Sequence, residues 1–316
     1  MCFNPRDLRA NLPQNNRQTP LDQAWLDYLN FYDCADLIVD YHLEIDKFLT
    51  ERGETVFQYY QQKGKVLGSC IIVHGYMDHS ALYRHLIKHF LGLGWDVLIY
   101  DKIGHGLSTG ARYAIDSFTQ YASQLQQVLE CLAERGENLK PWMLIGQSTG
   151  AAVVMEHALN PIFKSFAQIK QRVLLAPLVQ CYKFNWVKFQ YQCMRFLITR
   201  VKRGRSENSH DLQYLDFIRT ADPFSSQYIQ LNWIGAMLSW AKHFTQYAPC
   251  AMPVLIIQGS DDQTVNWQYN VAVIAQQFPK SELCIIDGGK HHLVNEAIKW
   301  RHQVFAKIAN LKVIKE

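Results

Sequence analysis

An alcohol is a poor nucleophile near neutral pH, so a serine that does chemistry needs a base, and the base needs a group to orient it. Ser148 stands in Gly146-Gln147-Ser148-Thr149-Gly150. Three apolar residues, Met143 to Ile145, lead into it, and a helical pattern of Ala, Val, Met and Leu runs on to Leu159. The spacing predicts a strand, a sharp turn and a helix. Glycines two before and two after the serine let the backbone crowd through a strained turn that lifts the hydroxyl clear of a sheet. The Thr149 amide, with the helix dipole behind it, can then face negative charge developing on a substrate oxygen. A serine in such a turn can also merely cap the helix, and only partners distinguish the two roles.

Two later segments offer partners in the chain order serine, acid, histidine. After the apolar run Pro253 to Ile257 comes Gln258-Gly259-Ser260-Asp261-Asp262-Gln263-Thr264-Val265. After Leu283 to Ile286 comes Asp287-Gly288-Gly289-Lys290-His291-His292. A carboxylate and a histidine each follow a strand, as Ser148 does. Taken singly they are a turn aspartate and a surface histidine; taken together with the serine turn they make a nucleophile, base and orienter. Spacing along a loop leaves Asp261 and Asp262 as alternatives, and likewise His291 and His292.

The elements that must position these groups alternate along the chain. Met1 to Asn16 is polar and contains proline, as a loose arm would. Thr19-Pro20 predicts a helix start, with Trp25, Leu26 and Leu29 on the buried side. Two strand-like runs from about Phe48 to Tyr60 flank Arg52-Gly53 as a hairpin. Strands follow at Gly68–Val73, Trp95–Tyr100, Met143–Ile145, Val173–Pro177, Pro253–Ile257 and Leu283–Ile286. Helices are expected over Ser80–Leu91, Ser117–Arg135, the stretch after Ser148, Gln268–Gln277 and Leu293–Ala309. Continuously apolar strands between helices imply a mostly parallel, doubly wound α/β sheet covered on both faces. Ligands of such sheets sit beyond the carboxyl ends of the strands, where every polar, glycine-containing segment named above falls.

From about 181 to 248 the pattern changes to aromatic and basic, which predicts an inserted helical cap within a single domain spanning 1–316. Trp186, Phe189, Cys193, Phe196 and Leu197 recur at helical spacing, as do Trp233, Met237, Trp240 and Phe244. Such rows pack a cap onto a core. Alternatively some line an acyl-chain tunnel above Ser148, for which the candidates are Trp186, Phe189, Trp233 and Met237. The basic run Arg200, Lys202, Arg203 and Arg205 is either solvated or holds an anionic lipid surface, at about 1 kcal/mol per basic residue near that surface.

Bulk properties exclude several classes. The 316 residues are 48% hydrophobic and 19% charged, as in a globular chain. No apolar run approaches the ~20 residues of a membrane span, and the N-terminus lacks an apolar signal core, so a cytoplasmic protein is expected. Eight scattered cysteines without a CxxC pair suit free thiols, including Cys70 and Cys284 within apolar strands. A net charge of +4 is too small to imply nucleic acid. Gly104, Gly106 and Gly110 miss dinucleotide-fingerprint spacing by one residue. His85 and His89 lie four apart on a helix without a following Glu or a third ligand, so no metal is expected. No cofactor is implied.

The chain from about Phe48 onward resembles the α/β-hydrolase fold, and within it the monoacylglycerol lipase and bacterial lysophospholipase L2 group, often classed with serine aminopeptidases. HGYMDHS at His74–Ser80 resembles that group's HGxxEHS loop and DKIGHGLS at Asp101–Ser108 its DxxGHGxS turn. GQSTG resembles its GHSMG elbow, and GGKHHLVNE at Gly288–Glu296 its GAxHELLNE segment. The resemblance implies Ser148 as nucleophile, His291 as base, since His292 falls where the family has Glu, and Asp262 as orienter by its GxxD spacing. It further implies an oxyanion hole from the Tyr76 and Thr149 amides. Gln147, Asp78 and Thr149 depart from the family's His, Glu and Met, but side-chain changes do not remove backbone donors. The expected substrate is a single-chain lipid ester, a lysophospholipid or monoacylglycerol, with peripheral contact to an anionic membrane. The alternatives are a small-ester esterase or aminopeptidase on the same triad, and a degenerate hydrolase that only binds lipid.

Overall fold

The computed structural model describes residues 3–12, 21–136, 140–204 and 207–312. The N-terminal arm is more ordered than its polarity suggests. Helix α1 (Pro5–Ala10) is capped by Asn4, whose side chain accepts from the Arg6 amide. Phe3 packs its ring 5.3 Å from both Tyr28 and Phe31, and Leu8 is fully buried. Two apolar anchors suffice to dock a segment whose average composition is that of a loop. Helix α2 (Gln23–Phe31) starts at Asp22, whose carboxylate caps the Trp25 amide at 3.0 Å. The start expected at Thr19-Pro20 lies outside the described residues. A short α3 (Leu37–Asp40) follows.

Strands β1 (His42–Thr50) and β2 (Gly53–Gln61) form the expected hairpin about Arg52-Gly53, but it begins six residues earlier than the sequence reading placed it. Leu43 and Ile45 alternate with the charged Glu44 and Asp46, and that period-two pattern extends the strand back to His42. The alternating part comes next: β3 (Ser69–Val73), α4 (Arg84–Gly92), β4 (Asp96–Tyr100), α5 (Phe118–Glu134), β5 (Trp142–Gln147), α6 (Thr149–Leu159) and β6 (Ile169–Leu175). After an excursion come β9 (Val254–Gly259), α10 (Trp267–Gln277), β10 (Ser281–Ile286) and α11 (Ile298–Ala309). The excursion holds α7 (Phe184–Met194), β7 (Arg200–Lys202), α8 (Leu212–Thr220), β8 (Tyr228–Gln230) and α9 (Leu231–Phe244). It is not wholly helical, because β7 and β8 pair as a small antiparallel ribbon.

The main sheet has the order β1-β2-β4-β3-β5-β6-β9-β10. β1, β2 and β4 join antiparallel, and every other pairing is parallel. Side chains of one strand alternate between two cores: Ile71, Val73 and Leu144 face α5, α6, α9 and α10, whereas Cys70, Ile72 and Met143 face α2, α4 and α11. Two covered faces explain why the central strands are apolar throughout. β10 is the exception. At the sheet edge Leu283 and Ile285 are 45% and 42% exposed and Cys284 is only half-buried. The seven described cysteines are all unpaired.

The last helix is also shorter than its periodicity suggests. A 3₁₀ turn over Leu293–Asn295 precedes a break at Glu296. The buried Glu296 carboxylate accepts from the backbone amides of His210, Lys290 and Ala297, and those bonds stop the helix from running through.

The order of strands reverses about β3, so the loops after β3 and β5 open beside each other at the carboxyl edge. There α6 lies so close to β3 that a Cβ on Gly150 would overlap the Val73 carbonyl oxygen. Backbone on both sides leaves nothing that can yield. Gly150→Ala is therefore expected to lower the unfolding free energy by at least the ~1–3 kcal/mol typical of overpacking, read from the denaturant midpoint.

Candidate active site

Ser148 occupies the turn between β5 and α6 at φ 56°, ψ −113°. A non-glycine residue held there stores about 1–3 kcal/mol of strain, which the fold around it must sustain. The Ser148 amide donates to the Leu175 carbonyl at 2.8 Å, and its own carbonyl accepts from Ala152 at 3.1 Å. The strained turn projects the hydroxyl to 2.9 Å from His291 Nε2. On the far side of the ring, His291 Nδ1 is 2.7 Å from Asp262 Oδ2.

Asp262 is nearly fully buried. Burial pushes its carboxyl up, but the facing His291 and hydrogen bonds from His291, Gln258 and the Thr264 amide outweigh burial and leave it below the ordinary carboxylate value. The amides of Thr264 and Val265 donate to Oδ1 at 2.8 and 3.2 Å, and Gln258 Nε2 donates to Oδ2 at 3.0 Å. The loops carrying acid and base touch directly, since a Cβ on Gly259 would overlap the Gly289 carbonyl. The structure thereby separates the two ambiguous pairs. Asp261 points to solvent, while His292 turns away from Ser148 and lies 3.2 Å from both carboxylate oxygens of Asp78.

Asp78 belongs to the loop after β3, and it bonds that loop to itself. Its Oδ2 accepts from the Gly75 amide at 3.1 Å and from the Tyr83 hydroxyl at 2.8 Å. Burial raises the Asp78 carboxyl, but His292 and the hydrogen bonds it receives bring it far below the ordinary value. His74 fixes the same loop from beneath. Burial first, and Lys102 next, push its imidazole well down, so the ring is neutral. Its Nε2 accepts from the Lys102 amide at 2.9 Å, which makes Nδ1–H the donor to the Gly75 carbonyl at 2.8 Å. Lys102 Nζ donates to that carbonyl as well, at 3.1 Å. The next amide along is that of Tyr76. Thr149 lines the same cavity as Tyr76, and as the first residue of α6 it has no carbonyl one turn back to take its N–H.

A cavity of about 240 Å³ opens over these groups, lined by Tyr76, Gln147, Ser148, Thr149 and His291 below. Met77, Leu82, Leu178 and Val265 form apolar wall, and Tyr214, Ile218, Ile229 and Trp233 come from the excursion between β6 and β9. Of the four residues expected in an acyl tunnel, Trp233 lines the cavity and stacks on Tyr76 at 3.8 Å. The other three do not. Met237, one turn further along α9, is buried in the core, and Trp186 and Phe189 lie on α7, which buries no residue and leaves both 56% exposed. Helical spacing identified a face of α7 but not which way that face points.

Two side chains that sequence reasoning missed belong to the site. Gln147 Nε2 donates to the His291 carbonyl at 2.9 Å, and Gln258 holds Asp262 as described. Gln147 is the last residue of β5 and Gln258 the last but one of β9, and position at a strand's carboxyl end was the available signal. The DKIGHGLS turn is structural: Asp101 accepts from Ser80 and Leu107 and ties it to the loop after β3. Among the described residues there is no cluster of three or more His, Cys, Asp or Glu that could hold a metal ion, and no helix long and apolar enough to cross a membrane.

Comparison with known proteins bears on the family and the fold. The family profile described as "Serine aminopeptidase, S33" matches residues 64–298, more than half of the chain. Human monoglyceride lipase is 24% identical over 268 residues, covering 81% of this chain and 86% of that one. A soluble variant of monoglyceride lipase from Saccharomyces cerevisiae, solved with a substrate analogue, superposes with a TM-score of 0.73 at 19% identity, covering 84% and 93%. The monoacylglycerol lipase of Paleococcus ferrophilus gives 0.67 at 18% identity, covering 87% and 99%. The architecture is the α/β-hydrolase fold, in its monoglyceride lipase-like form.

The Asp78 environment carries a measurable pH signature. A carboxyl depressed in the fold contributes stability that is complete above its ordinary value of 3.8 and is lost as pH falls through the lower folded value. Asp78→Asn should cost stability near neutrality, and the gap to the wild type should narrow on acidification. Denaturant midpoints of both proteins between about pH 2 and 6 test this; a gap independent of pH would place the effect elsewhere than the carboxylate.

Proposed function

Because this chain belongs to the serine aminopeptidase S33 family, we propose that it is a carboxylic-ester hydrolase with Ser148 as nucleophile, acting on a single-chain lipid such as a lysophospholipid or monoacylglycerol. The observation that carries the reading is the unbroken relay from the Ser148 hydroxyl through His291 to Asp262 at the floor of a partly apolar cavity.

In this reading the Ser148 oxygen attacks the ester carbonyl carbon while His291 Nε2 takes its proton. Asp262 keeps Nδ1 protonated and steadies the imidazolium. The carbonyl oxygen, now negative, rests on the Tyr76 and Thr149 amides, each worth about 3–4 kcal/mol of transition-state stabilisation by analogy with other oxyanion donors. His291 then protonates the departing alcohol, the C–O bond breaks, and an acyl-serine remains. Water, deprotonated by the same imidazole, releases the fatty acid and restores the hydroxyl.

The acidic groups of the cavity favour an ester over a peptide substrate. A free amino terminus would need a carboxylate to meet it, yet Asp78 is held by His292 and Tyr83, and Asp222 by Tyr32, His79 and the Phe224 amide. The apolar wall instead suits an acyl chain. Outside the cavity, Trp186 and Phe189 stack 5.7 Å apart beside the exposed Phe196 and Leu197, interspersed with Lys183, Lys188 and Arg195. This side of the chain meets an anionic membrane surface, from which a lipid substrate would be drawn. Arg205 of the basic run lies outside the described residues.

A fluorophosphonate probe should label the wild type and not Ser148→Ala; an unlabelled wild type would favour a lipid-binding module instead. Asp262→Asn should retain the fold and lower kcat by about 10⁴-fold. Among matched substrates, lysophospholipid and monoacylglycerol should be turned over faster than short p-nitrophenyl esters and aminoacyl anilides, and faster anilide cleavage would overturn the lipid assignment. Trp186→Ala combined with Phe189→Ala should weaken sedimentation with vesicles containing phosphatidylserine while leaving probe labelling of Ser148 intact.

A further inference from the structure

The cavity over Ser148 adjoins a second cavity of about 490 Å³, and the two share Arg203, Asn208, Ile218 and Ser225 as lining. The chemistry of this second space differs from the first. Lys202, Arg203 and Arg219 face it against a single carboxylate, Asp216, and Thr220, Ser225 and Ser226 add hydroxyl groups. We infer that this basic cavity binds the phosphate on the leaving group of the substrate, so that the enzyme prefers anionic lysophospholipids over neutral or zwitterionic single-chain lipids. The inference rests on the hydrolase reading above and narrows its substrate.

Arg203 carries most of the argument. It directly follows the β7 ribbon strand, and its amide donates to the Gln227 carbonyl at 2.7 Å, so its backbone is fixed at the junction of the two cavities. Its side chain is half-buried, and among the described residues no carboxylate lies within ion-pair distance of it or of Lys202. A partly desolvated cation without a counter-ion is a cost to the fold that an arriving anion removes. Guanidinium suits phosphate because its planar fork can donate two parallel hydrogen bonds. Beside it, Asn208 is buried with its side-chain oxygen lacking a donor among the described residues, in place to accept from a glycerol hydroxyl. With the ester carbonyl at Ser148 and the acyl chain against the Leu178, Val265 and Trp233 wall, the alcohol half of the ester has a polar, cationic space to enter.

The same cations could instead attract an anionic lipid surface, and the experiment must tell headgroup from interface. Short-chain substrates kept below their micelle concentration remove the interface. With a common acyl chain, kcat/KM is measured for lysophosphatidic acid, lysophosphatidylglycerol, lysophosphatidylcholine and monoacylglycerol. The wild type should favour the two anionic substrates about tenfold, and Arg203→Gln should erase most of that ratio. Arg203→Glu should invert it, and Arg203→Lys should keep part of it. The preference should also shrink as salt is raised, for a partly exposed pair is screened. A ratio near one in the wild type, a ratio indifferent to residue 203, or a preference seen only with micelles or vesicles overturns the inference. These failures are distinct from failure of the hydrolase reading, in which no substrate is turned over and the fluorophosphonate probe does not label Ser148.

Discussion

The His291 imidazole can bridge Ser148 and Asp262 only while three loops from three strands stay within a side chain's reach of one another. The fold secures this first with close backbone packing, to which side-chain bonds from Gln147 and Gln258 are added. Gly150 admits α6 against the end of β3, and Gly259 admits the loop after β9 against the loop after β10. At neither place is there room for one more carbon atom. The strained backbone of Ser148 persists because both its neighbouring strand and the first turn of α6 hold it by hydrogen bonds. Relay geometry at 2.7 and 2.9 Å therefore depends on sheet closure, with the Gln147 and Gln258 side chains bonding the loops that carry His291 and Asp262.

A second network governs the loop after β3. Gly75 has its amide on Asp78 and Tyr83, and its carbonyl on His74 and Lys102. Burial drives His74 neutral and pushes the enclosed Lys102 ammonium down to about 7, while the Asp78 carboxylate stays ionised. Asp78 extends it to His292, the residue after the relay histidine. The loop offering the Tyr76 amide and the loop offering the imidazole are thus joined by an acid and a base, at two positions where the monoacylglycerol lipase group has acids. Gln147, another departure from that group, spans to the His291 carbonyl. Three substitutions that look like losses when motifs are compared are, in the folded chain, bonds between the parts of one site.

The excursion between β6 and β9 divides into faces with different work. Trp233 on α9 stacks on Tyr76 and so couples the roof of the cavity to the loop below. α7 turns Trp186 and Phe189 outward, and the β7–β8 ribbon sets basic residues at the cavity's far side. The excursion thus presents an aromatic surface to solvent and a cationic one to the interior.

What the chain determined by itself was whatever depends on local spacing: the strand, turn and helix around Ser148, the apolar runs that become parallel strands, and the presence of an acid and a histidine after β9 and β10. Spacing works there because the backbone geometry of one element is set by residues within that element. It fell short wherever the outcome depended on distant neighbours. Asp262 rather than Asp261, and His291 rather than His292, were separated by motif resemblance alone, and in the structure they are separated because the loops of Gly259 and Gly289 touch and Asp78 draws His292 away. The docking of Phe3 on Tyr28 and Phe31, and in part the break at Glu296, which takes the amide of His210 from 86 residues back, likewise depend on partners outside the local segment. The outward turn of Trp186 and Phe189 shows the same limit from the other side, since periodicity defines a helix face and only tertiary packing decides whether that face meets core, cavity or solvent.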